Sequence, residues 1–207
     1  MRFTIVTAAC LLAHGTLQAA TPNCKTDTLE AYIDLGPQGC QVGGVVYANF
    51  AYTPGASAAA IMTANLVTVT PVFIPPATGR LTFSARWSAG KGQTMDPIIS
   101  YTAALPAGAS LPSSLQLALG TVHFAATTAA VSINENTNLR DSTGNPVTLN
   151  VFECSDLCVP KPSDLFDFNP TGISVLILSN HLMISGGNGT ADLDSFSNSL
   201  DLCIVCD

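Results

Sequence analysis

The residues with the most chemistry to offer are the cysteines. Cys24 and Cys40 flank a short segment near the start, three residues separate Cys154 from Cys158, and two separate Cys203 from Cys206. Two close thiol pairs are what a tetrahedral four-sulfur zinc site requires. The same spacing suits two disulfides, either as local pairs (154–158 and 203–206) or crossed. Cys203-Ile-Val-Cys206 also matches a redox C-x-x-C. Such a motif works by lowering the first thiol's pKa at a helix N-terminus. Only Asp207 follows here, so the activating context is missing. The redox compartment decides between thiolate and disulfide.

Acid–base chemistry has few candidates. Glu30, Glu135 and Glu153 are the glutamates, and their spacing marks no pair for a glycosidase, which needs two carboxylates a few ångströms apart. Asp141-Ser-Thr-Gly144 is one residue too long for an aspartic-protease D-[ST]-G. His123 alternates with Val122 and Phe124 and should point away from the core, whereas His181 reads as a turn residue in Ser179-Asn-His181. No G-x-S-x-G elbow supplies a serine nucleophile. No catalytic residue is therefore expected. Asp156, Asp164 and Asp167 share one acidic stretch, and Asp192 and Asp194 follow Gly186-Gly-Asn-Gly189. Calcium takes six or more oxygens, often from glycine turns, so Asp192 and Asp194 are the calcium candidates. A solvated turn is the alternative, and no other cofactor is indicated. Aromatic platforms mark sugar binders, but Trp87 lies on the apolar side of its strand, and Tyr47, Tyr52 and Tyr101 read as structural. Asn188-Gly-Thr190 is a lone glycosylation sequon.

The first segment settles the compartment. Residues 1–20 read as a secretory signal peptide: Arg2, an apolar run from Phe3 to Ala13, then small residues at Ala19 and Ala20. The run is about half the ~20 residues that a membrane span needs. The expected product is residues 21–207, one domain, exported and without a membrane anchor. Six basic residues against fourteen acidic ones then leave a net charge of −8, and six cysteines remain of seven. An even number in an exported chain favours a disulfide framework, with Cys24–Cys40 as one bridge. The acidic balance excludes a nucleic-acid partner, which would require a basic face. With 47% hydrophobic residues, the 207-residue chain can build a core.

The elements that must position these groups follow from hydropathy. Asp27-Thr-Leu-Glu30 predicts a capped helix start, and Gly36-Pro37 its end. Beyond Val45 the period becomes two. Leu81, Phe83, Ala85 and Trp87 oppose Thr82, Ser84, Arg86 and Ser88, and the alternation returns through Ile99–Ala103, Leu115–Leu119, Val131–Ile133 and Val147–Val151. Val175 to Leu178 is a continuous apolar run, which predicts a strand covered on both faces. Ala56 to Asn65 reads as a short helix or a loop. Gly90-Lys-Gly92, Gly144-Asn-Pro146 and similar breakers separate eight to ten strands. The fold class is all-β: an antiparallel, jelly-roll-like β-sandwich with a short N-terminal helix and disulfides.

Several blocks carry a resemblance. Cys24, Leu29-Glu-Ala-Tyr-Ile-Asp-Leu-Gly36, Gly39-Cys40 and Val46-Tyr-Ala-Asn-Phe-Ala-Tyr52 form the first. Leu81-Thr-Phe83 before Trp87, Asp96-Pro-Ile-Ile-Ser-Tyr101, Val131-Ser-Ile-Asn-Glu135, and Ser174-Val175 through Ile184-Ser-Gly-Gly187 with Ala191 and Phe196 form the rest. Together they resemble secreted bacterial proteins of the PEP-CTERM (exosortase-sorted) group. That group's Val-Pro-Glu-Pro tail, apolar helix and basic cluster are lacking: Val159-Pro-Lys-Pro162 is internal. Free secretion is the expectation that follows. The functional expectation is a non-catalytic extracellular or cell-surface matrix protein. The alternative is a carbohydrate- or ligand-binding module, meeting extracellular polysaccharide and holding structural calcium. A carboxylate-dependent hydrolase comes third.

Overall fold

The computed structural model describes residues 20–105, 112–156, 158–167 and 174–202. All but the last residue of the expected signal peptide, and both Cys203 and Cys206, lie outside them. Extended backbone dominates because β-branched and aromatic residues alternate with serine, threonine and asparagine, giving each strand one greasy and one wettable face.

In chain order the strands are β1 (Asp27–Thr28), β2 (Cys40–Val42), β3 (Val45–Thr53), β4 (Ala56–Ser57), β5 (Thr68–Ile74), β6 (Thr78–Ala89), β7 (Thr94–Met95) and β8 (Ile98–Ala104). Then follow β9 (Pro112–Leu119), β10 (Val122–Phe124), β11 (Ala130–Arg140), β12 (Pro146–Cys154), β13 (Ser163–Asp167), β14 (Val175–Ser185) and β15 (Ala191–Leu202). One helix, α1 (Leu29–Asp34), separates β1 from β2. The strands form two antiparallel sheets. A seven-stranded sheet runs β1-β5-β6-β15-β9-β13, with β10 also on β15. An eight-stranded sheet runs β12-β11-β14-β8-β3-β2, with β4 and β7 at the margin of β14. The two stack as a β-sandwich.

Between them lies an aromatic seam. Phe83 stacks on Phe196 with centroids 5.0 Å apart, Trp87 tilts against Phe196 at 5.8 Å, and Tyr101 bridges Phe83 (5.8 Å) to Phe50 (5.2 Å). Each of these rings is at most 4% exposed, so the seam joins the two layers by excluding water along their midline.

Local differences from the sequence expectation have physical causes. The helix cap is Thr28, not Asp27: Thr28 has extended backbone and its hydroxyl accepts from the Ala31 N–H at 3.2 Å. Asp27 is occupied in β1 opposite Val69. Leu29 and Tyr32 bury the inner face of α1. Ala56 to Asn65 contributes β4 and the start of a single 3-10 turn, Ala64–Leu66, rather than a helix. Strands number fifteen among the described residues because short edge pieces such as β4 and β7 carry no periodic signal. Val175 to Leu178 is not covered on both faces: Val175 is 43% and Ile177 52% exposed, while Leu176 and Leu178 are buried. His181 is not in a turn. It sits mid-strand in β14, because Ser179, Asn180 and His181 keep the extended ladder between β11 and β8.

Two glycine sites are forced by close approach. Gly39, entering β2 with φ +57°, would place a β-carbon 2.1 Å from the Tyr47 carbonyl oxygen. Gly186, leaving β14, would place one 2.0 Å from the Gly90 carbonyl oxygen. Neither position has room for a side chain.

Candidate functional site

Cys24 and Cys40 form a disulfide with Cα atoms 4.8 Å apart, which staples the chain before α1 to β2. Cys154 and Cys158 form a second, local one, with Cα atoms 6.2 Å apart, so neither is crossed to the chain's end. Beside the first bridge a cleft of about 210 Å³ is lined by Pro22, Asn23, Lys25, Asp27 and Tyr32. The Tyr32 hydroxyl donates to the Lys25 carbonyl at 2.8 Å, and burial pushes its pKa up. The cleft is smaller than the ~300–1,000 Å³ usual for small-molecule sites.

The calcium candidates do not share a turn. Both lie within β15: Asp192 pairs with Ser88 of β6 on one side and His123 of β10 on the other, and Asp194, two residues on, faces exposed His123 at 3.7 Å. The glycine turn before them instead holds Asn188, whose amide donates to the Thr127 hydroxyl at 2.7 Å. No group of three or more histidine, cysteine, aspartate or glutamate side chains converges as a metal site among the described residues. Among the described residues, no helix is long and apolar enough to cross a membrane.

Trp87 is fully buried, so it offers no stacking platform. Tyr47 donates to the Gly79 carbonyl at 3.1 Å and Tyr52 to the Met62 carbonyl at 3.0 Å, both structural uses.

What sequence reasoning missed is the outward face of the eight-stranded sheet. Register builds it. Asn150 lies opposite Asn134, Asn134 opposite His181, and His181 opposite Ile98. One step along, Thr148, Asn136, Ser179 and Ser100 form the next row. With strands about 4.8 Å apart, each row spans about 14 Å. Ile98, Ile177 and Met183 border the amides; the last two are 52% and 47% exposed. Between Thr148 and Ser185 the outward positions of β12, β11, β14 and β8 hold no charged side chain except Arg140, at the β11 end, where it donates to the Gly144 carbonyl at 2.9 Å. The side chains of Asn134, Asn150, Ser100, Ser179 and His181 make no hydrogen bond among the described residues. Asn138 is already used: its amide donates to the Val175 carbonyl and accepts from the Ile177 N–H. The sequence signal was present as asparagines at every second position of β11 (134, 136, 138), but pairing with β12 and β14 was needed to see a surface.

The second missed feature is inside. Glu135, Asn180 and Asn198 are 0–4% exposed and meet between the sheets. The Asn198 amide donates to Glu135 Oε2, and Glu135 and Asn180 are cross-strand partners. Burial raises the Glu135 carboxyl to about 8, against the lowering pull of Asn198 and Asn180. No second carboxylate perturbs it and no surface reaches it, so it has neither the partner nor the access that glycoside hydrolysis needs.

No family model and no curated relative matches the chain. Among solved structures it is similar to TmCBM61 in complex with β-1,4-galactotriose, at 10% identity, 72% of this chain, 86% of that one and a TM-score of 0.35. It is also similar to the CBM22-1 xylan-binding domain from Paenibacillus barcinonensis Xyn10C (16% identity, 89% and 99% covered, TM-score 0.29). A third is the enzymatically active domain of bacteriophage CBA120 tailspike protein 4, at 15% identity and 0.27, where the match covers 72% of this chain but 19% of that one. Scores this low carry no functional argument, and the functional reading rests on this chain's own side chains.

Proposed function

We propose that the protein is an extracellular, non-catalytic β-sandwich that binds neutral glycan chains across the outward face of its eight-stranded sheet. The observation that carries this reading is the uncharged double row Asn150–Asn134–His181 and Thr148–Asn136–Ser179–Ser100. A sugar hydroxyl both donates and accepts, and an asparagine amide answers both needs at one point. Sugar rings also carry apolar C–H faces, which Ile98, Ile177 and Met183 can cover. A face whose one cation, Arg140, lies at its margin and is held by the Gly144 carbonyl disfavours anionic polysaccharides, which require Arg or Lys at the binding rows. Export by the segment at 1–20, with residues 21–207 as the mature chain, belongs to the same proposal, and the two disulfides support it.

A glycan array on the mature chain, followed by calorimetry, tests this. Replacing Asn134 and Asn136 together by alanine removes two hydrogen-bonding groups at about 0.5–1.5 kcal/mol each, or roughly 5- to 150-fold in affinity. Thr82→Ala with Ser197→Ala, on the outer face of the other sheet, should leave binding unchanged. Because the contacts are uncharged, affinity should hardly vary with salt. Retention of no neutral glycan, or equal binding by the double-asparagine variant, would defeat the reading.

A further inference from the structure

The core of a sandwich normally excludes unpartnered polar atoms. Here five such atoms sit together. Glu135 Oε1, both amide atoms of Asn180, Asn198 Oδ1 and the Tyr101 hydroxyl are buried without a hydrogen-bond partner. Their side chains come from four strands in both sheets: β11, β14 and β8 on one side, β15 on the other. Glu135 and Asn180 face each other in register, Tyr101 lies diagonally from Asn180 on β8, and Asn198 reaches across from β15 to Glu135 Oε2.

Burial without a countercharge decides the protonation state: Glu135 is 0% exposed, and a carboxylate taken out of water with no cation beside it neutralises. An ionised carboxyl can only accept, and an asparagine Oδ1 can only accept. Ionised, Glu135 would meet only neutral donors, the amides of Asn180 and Asn198 and the Tyr101 hydroxyl. No cation relieves this, since the ion pairs among the described residues are His123–Asp194 and Lys161–Asp164. With Glu135 neutral, its O–H can donate to Asn180 Oδ1. The Asn180 N–H groups, Asn198 Oδ1 and the Tyr101 hydroxyl are then partners for a single water, within the two to four bonds that a buried water makes.

We infer that Glu135 is a neutral acid in the folded protein, and that its proton and one internal water tie the two sheets together at Asn180, Asn198 and Tyr101. The groups facing this centre do not contradict it. Leu149 stands opposite Glu135 on β12, and His181 projects from the other face of β14. Tyr101, influenced by Glu135 and by Tyr47 of β3, has its hydroxyl held well above its usual range by burial, so it stays a donor. The elevated carboxyl of Glu135 agrees with that burial.

The sign of the pH effect follows. An acid whose folded pKa lies above its unfolded value stabilises the fold relative to higher pH: the benefit is complete below about 4.5 and is lost as pH rises through about 8. Between pH 5 and pH 8 the folding constant should fall by roughly 10²- to 10³-fold on this account. Glu135→Gln keeps a donor at the same point and cannot ionise, so its urea midpoint should lose this dependence. The wild-type chain can be tested without any variant. It has three glutamates, Glu30, Glu135 and Glu153, so carbon-13 labelling at their carboxyls resolves each titration. One carboxyl titrating near 8, with nuclear Overhauser contacts from the Asn180 amide to a long-lived water, is the expected result. Three carboxyls all titrating in the ordinary acidic range would overturn the proton, and a titrating Glu135 without the water contact would overturn the water.

Discussion

Trp87 is the single tryptophan of the chain, and replacing it distinguishes a structural anchor from a ligand platform. Its side chain is 0% exposed and lies 5.8 Å from Phe196, which in turn stacks on Phe83. Trp87→Ala should cost about 3–5 kcal/mol, the range for deleting a buried aromatic. At this size that lowers the melting temperature by about 6–20 °C. Trp87→Phe balances two opposing effects. The lost ring leaves a cavity of roughly 40 Å³, worth about 1 kcal/mol at 24 cal/mol per Å³. Against that, the indole Nε1 is buried without a partner, and removing such a group recovers about 1–3 kcal/mol. With the lost transfer free energy of the removed atoms added to the cavity cost, the two effects roughly cancel, and the phenylalanine variant should be about as stable as wild type. Urea unfolding followed by far-ultraviolet circular dichroism measures both, since fluorescence disappears with the tryptophan. A phenylalanine variant as unstable as the alanine one would mean that the indole N–H is satisfied. A phenylalanine variant of normal stability that no longer bound glycan would refute the assignment of Trp87 to the core.

The disulfides should differ in weight. Cys24–Cys40 closes a loop of 16 residues and should contribute about 3 kcal/mol, whereas Cys154–Cys158 closes one of 4 and should contribute about 1 kcal/mol less; urea midpoints of Cys24→Ser with Cys40→Ala, and of Cys154→Ser with Cys158→Ser, check the order. Asp141 organises the β11–β12 turn by accepting from the Thr143 hydroxyl and the Thr143 and Asn145 N–H groups, which hold its carboxyl below the usual range. That stabilisation is present above the ordinary aspartate range and is lost as pH falls through the depressed value. Protection of the Thr143 and Asn145 amides, taken relative to the intrinsic exchange rate at each pH, should fall on acidification, and should be reduced in Asp141→Ala throughout the pH range above that value.

Much of the fold was legible because alternation is a local property. Leu81 to Trp87, Ile99 to Ala103 and Val147 to Val151 each announce one buried face, and apart from half-buried Ala85 each is buried as read. His123 is exposed as its phase implies. The errors fall where polarity imitates a turn. Ser179-Asn-His181 looks like a break, yet Leu176, Leu178, Leu182 and Ile184 hold the same phase on both sides, so Asn180 is an inward strand residue. Glu135 continues Val131 and Ile133 in the same way, and Asn198 stands between Phe196 and Leu200. Each could have been noticed as a polar residue in an apolar phase. Nothing local says that the three meet.

By itself the sequence determined that the chain is built of half-buried strands, that α1 ends before Gly36, and that Cys24 and Cys40 bracket it, since each follows from neighbours within a few residues of one another. Only the tertiary structure decided that β11 lies between β12 and β14. That order turns scattered asparagines into one uncharged surface and brings Glu135, Asn180, Asn198 and Tyr101 to one point in the core. The reason is physical: a strand's alternation fixes which face is wet, but its partners are chosen by how all the dry faces pack at once, and that energy belongs to no single segment.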